Sequence, residues 1–321
     1  MIVKSYLIDD SLHLKEESPE QKIGERLADG KPRWIDIVDP DKRELREILS
    51  PLISDESIIE DFILRGRNLP LAHTENELYF EFPRITEEAT FEIEHISFLC
   101  MRNLLITIHA GEIDPITKLA SDLCNNFHLQ RATIASLLYH IIENMMETNY
   151  FLYINQRDSI HNLGKSINLA PDEVDLKSIL TLKNNIGRLS VMAEDQLYCL
   201  NAIQKFEGAA FDIGKQRRNF KKLDDEAQNE FRLLGRYESR LQNIHQHYDL
   251  TLQERTNNRL KVLTIIAAIF LPLNLIAGIY GMNFRYIPLL QWQYSYHLTL
   301  ILMLAVSAGM LFFFYRSGWF K

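Results

Sequence analysis

Asn257, Leu260, Thr264, Ala267, Leu271, Asn274 and Gly278 follow one another in alternating steps of three and four, so on a helix they share one face. From Thr264 onward their surroundings are apolar, which makes a hydroxyl and the Asn274 carboxamide costly there unless something polar meets them, and Asn257 stands at the charged entrance to that run. Toward the N-terminus the register continues through Gln253, Leu250, Gln246, Asn243 and Ser239, in a stretch otherwise rich in charge. Uncharged oxygens in a row are unsuited to acid-base or nucleophilic chemistry, but they can hydrogen-bond a solute that keeps its own water. Leu260, Leu263 and Leu271 would supply apolar constrictions that stop ions by dewetting. The competing reading is that Asn274 and Thr264 only bond a neighbouring helix.

The distribution of charge says where this stripe lies. The chain has 321 residues, 46% hydrophobic and 24% charged, with a net charge of -8, enough for one large domain or two. No carboxylate follows Glu254, and beyond Lys261 the only charged residues are Arg285, Arg316 and Lys321. The first 261 residues therefore hold 32 basic and 43 acidic side chains, a net of -11. That balance argues against nucleic acid as a partner, since phosphate binding needs clustered Lys and Arg.

Val262 to Phe284 is a run of 23 uncharged residues, roughly 34 Å as a helix and long enough to cross a bilayer. Leu298 to Tyr315 gives a second apolar run of 18 residues, ending at Arg316. Arg255, Arg259 and Lys261 flank the entry, and Arg316 and Lys321 the exit, so the positive-inside bias puts both termini in the cytoplasm and the short connection outside. Trp292, Tyr294 and Tyr296 then fall at the outer interface and Trp319 at the inner one. A hairpin buried in a soluble protein is the alternative reading of the two runs. The N-terminus reaches Asp9 and Asp10 before any long apolar run, which does not read as a secretory signal. The expected location is an integral plasma (bacterial inner) membrane.

Ahead of the spans, strands are expected at Ile2 to Ile8, Trp34 to Val38, Glu77 to Phe82, Ile96 to Met101 and Leu104 to Ile108. Leu78, Phe80 and Phe82 alternate with Glu77, Tyr79 and Glu81, the pattern of a half-buried strand. Arg102 and Asn103 suggest a hairpin turn. Asp39-Pro40 and Asp114-Pro115 read as helix starts, and long helices are expected over about Arg131 to Gly164 and Pro171 to Phe206. From Leu223 nothing breaks the helical pattern until Pro272, which a membrane span tolerates. Continuous to Tyr280, this helix would join the span to the cytoplasmic part as a stalk. The expected organisation is an α+β cytoplasmic domain over 1–222, an α/β/α sandwich with long helices. A stalk (223–261), first span (262–284), external loop (285–297), second span (298–316) and cytoplasmic tail (317–321) follow.

Two spans cannot enclose a conduit, whereas parallel copies packed along the 3.5-residue register can. Magnesium gives up its water reluctantly, so a filter of oxygen dipoles needs no carboxylate. No phosphate-binding loop is present to suggest a pump, which leaves the membrane potential, worth about 2.3 kcal/mol per charge per 100 mV, to drive a cation inward.

Lys261-Val-Leu-Thr264, Phe270-Leu-Pro272-Leu, Ile276-Ala-Gly278-Ile and Tyr280-Gly281-Met282-Asn283-Phe284 resemble the CorA-type magnesium transporter family. Gly-Met-Asn is a weak tripeptide alone and a strong one at the outer end of the first of two C-terminal spans. Detailed similarity covers about the last 70 residues. The resemblance implies a funnel-shaped homopentamer with an α/β/α domain and a pore lined by the stalk helix. It implies a selectivity filter at Gly281, Met282 and Asn283, with Asn283 meeting the hydrated cation through its water. It also places Asn257, Leu260, Leu263, Leu271 and Asn274 where the family lines or gates its pore, beside Thr264 and Gly278. Arg285 and Leu289 stand where family members commonly carry acidic loop residues, Asn274 where threonine is frequent, and Leu260 and Leu271 in place of methionines. The family further implies regulation by magnesium bridging carboxylates between subunits; Asp224, Asp225 and Glu226 fall in that region, and no regulatory ligand is assigned.

The remaining constellations are weaker. His245 and His247 point different ways on a helix. Glu143 and Glu147 share a face, with no His or Cys expected to complete a metal site. His73, His95, His109 and His128 are scattered, and Cys100, Cys124 and Cys199 form no CxxC or disulfide framework and read as reduced core thiols. No enzyme and no cofactor is expected. The favoured reading is a channel-like transporter of hydrated divalent cations, magnesium first with cobalt or nickel as surrogates, whose partners are its own copies and membrane lipid. A zinc transporter of the same architecture is the alternative, followed by a membrane-anchored sensing or interaction protein.

Overall fold

In the computed structural model, residues 1–17, 30–53, 56, 59–60, 63, 71–74, 77–86, 90–206, 208, 213–282 and 292–319 are described. The chain divides into two compact units, Met1–Asn243 and Ile244–Lys321.

The first unit is built on seven strands, β1 (Ile2–Ile8), β2 (Leu14–Glu17), β3 (Arg33–Val38), β4 (Leu71–His73), β5 (Leu78–Ile85), β6 (Ile93–Met101) and β7 (Leu104–His109), in the order β2-β1-β3-β7-β6-β5-β4. Only β3 and β7 pair in parallel; β6 and β7 form the hairpin expected at Arg102-Asn103, with Met101 opposite Leu104. Both sheet faces are covered. Tyr6, Trp34, Phe80, Phe98 and Leu105 pack with helices α2 (Asp114–Asn125), α3 (Ile134–Leu169), α4 (Leu176–Lys205) and the root of α5 (Arg217–Tyr280). Ile35, Ile37, Tyr79, Leu99 and Ile106 pack on the other face with Leu45 and Leu49 of α1 (Lys42–Leu49). The α/β/α sandwich expected from the sequence is therefore present. β5, expected to be half-buried, is buried on both faces over Leu78–Pro83, as befits a strand between two layers.

Helix boundaries differ from expectation where a cap is used elsewhere. Asp39 does not start α1: its φ is 49° and its Oδ1 accepts from Gly111 N at 3.0 Å. Asp41 caps instead, accepting from the Arg43 and Glu44 amides while Glu44 reaches back to the Asp41 amide, a reciprocal capping box. At α2 the cap position is Ile113, and Asp114-Pro115 form the first turn. Thr133 caps α3 and Asp175 caps α4, a 3-10 turn at Pro171–Glu173 separating the two helices. All three cysteines are free; Cys100 and Cys199 are buried, and burial pushes both thiols up. Cys199 also donates to the Glu81 carbonyl, and Gln196 to the Pro83 carbonyl, at 3.0 and 2.8 Å, fixing α4 on β5.

α5 is 64 residues long and continuous through Pro272; it begins at Arg217, ahead of the expected Leu223. Asp224, Asp225 and Glu226 thus lie inside the helix, not at its start.

The second unit holds the rest of α5 and α6 (Ser295–Arg316). Both helices are long and apolar enough to cross a membrane, and only 6% of each apolar stretch is buried, whereas a core helix of a soluble protein would be mostly covered.

Candidate functional site: an uncharged polar face on α5

The membrane part of α5 has two different sides. Ile265, Ala268, Ile269, Pro272 and Ile276 are sheltered, and on α6 the sheltered positions are Ser295, Thr299, Met303, Val306, Met310 and Phe314. Both sets recur at helical spacing, so each helix has one sheltered side. Asn257, Leu260, Thr264, Ala267, Leu271, Asn274 and Gly278 are all exposed. At about 100° per residue their stripe is centred roughly 130° around α5 from the sheltered one. The polar stripe therefore does not bond the neighbouring helix of its own chain, which removes the intrachain form of the competing reading.

The stripe's chemistry is neutral. Thr264 Oγ1 donates to the Leu260 carbonyl at 2.8 Å, leaving its lone pairs as acceptors directed off the helix. Leu260, Leu263 and Leu271 are 53%, 61% and 69% exposed, each a large apolar side chain without cover in the single chain. A Cβ added at Gly278 would meet nothing within 4 Å, so the glycine leaves the backbone accessible there.

The helix ends where the expected filter begins. Gly281 N bonds the Ala277 carbonyl at 2.9 Å and Met282 N the Ile279 carbonyl at 3.4 Å; Met282 is about half exposed. A helix C-terminus carries the equivalent of about half a negative charge, so a cation approaching Gly281 and Met282 meets favourable dipoles without a carboxylate. A side chain at Gly281 would press on the Ala277 carbonyl at 3.1 Å. Asn283, Arg285 and Leu289 lie outside the described residues.

The weaker constellations resolve as structural contacts. Glu143 is held within its own helix, His140 Nδ1 lying 3.2 Å from it and Tyr139 donating to it, and Glu147 does not join that group. Among the described residues no group of three His, Cys, Asp or Glu side chains is placed to hold a metal ion. His245 pairs with Asp249 at 3.8 Å. His109 belongs to a buried network with Asp36, Thr107 and Trp34. Asp224 accepts from Gln228 at 3.1 Å and Lys222 reaches Glu226 at 3.6 Å. Of these contacts the His109 network is nonlocal and could not be read from the sequence; the others are i,i+3 or i,i+4 pairs, which helical spacing allows.

An α/β/α domain followed by one very long helix and a second apolar helix defines a membrane protein with two C-terminal spans. The profile of the CorA-like Mg2+ transporter protein family matches residues 29–316, and the chain belongs to that family. The cobalt/magnesium transport protein CorA of Methanocaldococcus jannaschii is 26% identical over 301 residues, covering 89% of this chain and 90% of the relative. The complete structure of the CorA magnesium transporter from that organism superposes with a TM-score of 0.84 over 99% of both chains, at 21% identity. The ZntB cytoplasmic domain from Vibrio parahaemolyticus gives 0.65 at 11% identity, covering 78% of this chain and 98% of that one. At such identities the structural likenesses establish the fold alone.

Proposed function

We propose that this chain assembles as a homopentamer in the plasma membrane and conducts hydrated divalent cations, magnesium foremost, down their electrochemical gradient. The observation that carries this reading is the exposed stripe of uncharged oxygens on α5, set away from the sheltered face of that helix. Polar groups so placed in a membrane need a wet partner, and several copies of one helix around an axis provide one. Asn257 marks the entrance, Thr264 and Asn274 the shaft, Leu260, Leu263 and Leu271 the constrictions, and Gly281 to Asn283 the outer filter. Both termini are cytoplasmic, and the external loop begins at residue 285 and ends where α6 starts at Ser295. Cobalt and nickel, hydrated divalent ions of similar size, are the expected surrogates.

Purified protein in liposomes loaded with a magnesium-sensitive dye tests the proposal: wild type should admit magnesium, and Asn283→Ala should abolish entry while the pentamer persists. Uptake unchanged in Asn283→Ala would remove the filter from the proposal. Zinc is the second reading, favoured by likeness to the ZntB domain; zinc flux exceeding magnesium flux in parallel liposomes would select it. No flux of any divalent ion would leave the anchored sensing role.

A further inference from the structure

Tyr153 and Glu230 are 77 residues apart in sequence, yet the Tyr153 hydroxyl donates to Glu230 Oε2 at 3.1 Å and ties α3 to α5. Tyr153 is 1% exposed. Its neighbours on the same face of α3 are neutral amides: Asn149, one turn before, has its Nδ2 buried without a partner among the described residues, and Gln156, one turn after, its Oε1. On α5 the nearest charge acting on Glu230 is another carboxylate, Glu226, one turn away, whose own cation is Lys222. Arg157 of α3 acts on Tyr237, further along α5. Glu238 is held from α4 by Ser190 at 3.0 Å. Glu230 is thus a carboxyl wedged between a buried phenol and a second acid.

We propose that Tyr153 and Glu230 form a proton-binding site that latches α3 to α5. With the proton on Glu230, the seam is joined by a hydrogen bond between neutral groups. Without it, a second negative charge stands one turn from that of Glu226, and burial of the new charge against the phenol loosens the seam. Burial is the largest influence on Glu230; Tyr153's hydrogen bond opposes it and Glu226's repulsion adds to it, so the carboxyl is pushed up to about 7. Proton release therefore falls in the neutral range. The site lies on the helix that carries the polar stripe, but the latch requires nothing of the transported ion.

Hydrogen–deuterium exchange on the full chain in nanodiscs, normalised for the intrinsic pH dependence of exchange, reads the latch directly. Peptides spanning residues 149–157 and 226–234 should lose protection as pH rises, with a midpoint near 7. Glu230→Gln should keep them protected throughout. Two milder variants give opposite shifts: Glu226→Gln moves the midpoint down by removing a repelling charge, and Tyr153→Phe moves it up by removing a hydrogen bond to the charged form. A merely structural contact would lower protection in Tyr153→Phe without moving the midpoint. Protection independent of pH in wild type, a wild-type profile in Glu230→Gln, or unmoved midpoints in both milder variants would each overturn the proposal.

Discussion

Thr107 accepts from the Trp34 indole at 2.9 Å and donates to Asp36, while His109 Nε2 lies 3.0 Å from the same carboxylate oxygen. All four side chains are buried. Asp36→Ala would strip the acceptor from two buried groups, each left unsatisfied at a cost of about 1–3 kcal/mol. Thermal unfolding in detergent should show a large loss of stability, and a shift of less than about 1 kcal/mol would mean that water replaces the carboxylate. Glu230 gives a prediction of a different sign. Its carboxyl rises from a usual 4.5 to about 7 in the fold. Below about pH 4.5 folded and unfolded chains both hold the proton, and the site's stability is fully present. As pH rises through 7 that stability is lost, up to about 3 kcal/mol. Glu230→Gln should therefore melt close to wild type in acid and above it at pH 8, and an equal difference at both would contradict the assignment.

At the scale of elements, the apolar helices are legible because charge is absent from them: a single arginine interrupts residues 262–315. The polar stripe is legible for the same reason, since Thr264 and Asn274 stand out against apolar neighbours and Asn257 continues their helical spacing. β2 and β4 are not, because Leu-Lys-Glu-Glu and a three-residue strand carry no alternation of their own and exist by pairing with β1 and β5. The true cap of α1 was legible by a local rule, since Glu44 stands three residues after Asp41 and Lys42 three after Asp39; that Asp39 is taken up by the bond from Gly111 was not. Tyr153 with Glu230 is illegible on principle, since their meeting depends on how α3 crosses α5. Two expectations about elements follow. Asp41→Ala removes the side-chain half of the α1 box, leaving the residue 41 amide on Glu44, and should cost about 1 kcal/mol in thermal unfolding; no loss would mean Asp39 can take over. In α5, Asn274→Leu keeps the helix and deletes the exposed amide that the proposal turns toward the conduit. One hydrogen bond of about 1 to 1.5 kcal/mol corresponds to roughly tenfold, so magnesium flux should fall by at least about that factor with the oligomer intact. Equal flux would return Asn274 to the role of helix glue.

At the scale of the whole molecule the charges are divided: a net of -11 before residue 262, then none but Arg285, Arg316 and Lys321. If the spans orient as proposed, the only formal charge in the external connection is the positive one at Arg285, and each copy in a pentamer adds another. Such a ring repels a divalent cation at distances up to a Debye length, about 8 Å at physiological salt, and salt screens it. Magnesium entry should then rise with added monovalent salt, the reverse of a loop carrying carboxylates. Replacing the charge by Arg285→Glu should raise entry at low salt and invert the salt dependence, while Arg285→Gln should flatten it. Because the filter acts through uncharged oxygens at contact distance, the preference among magnesium, cobalt and nickel should change little in either variant. Liposome flux at two ionic strengths separates the terms, and a wild-type rate that falls as salt is added would place Arg285 away from the ion's path.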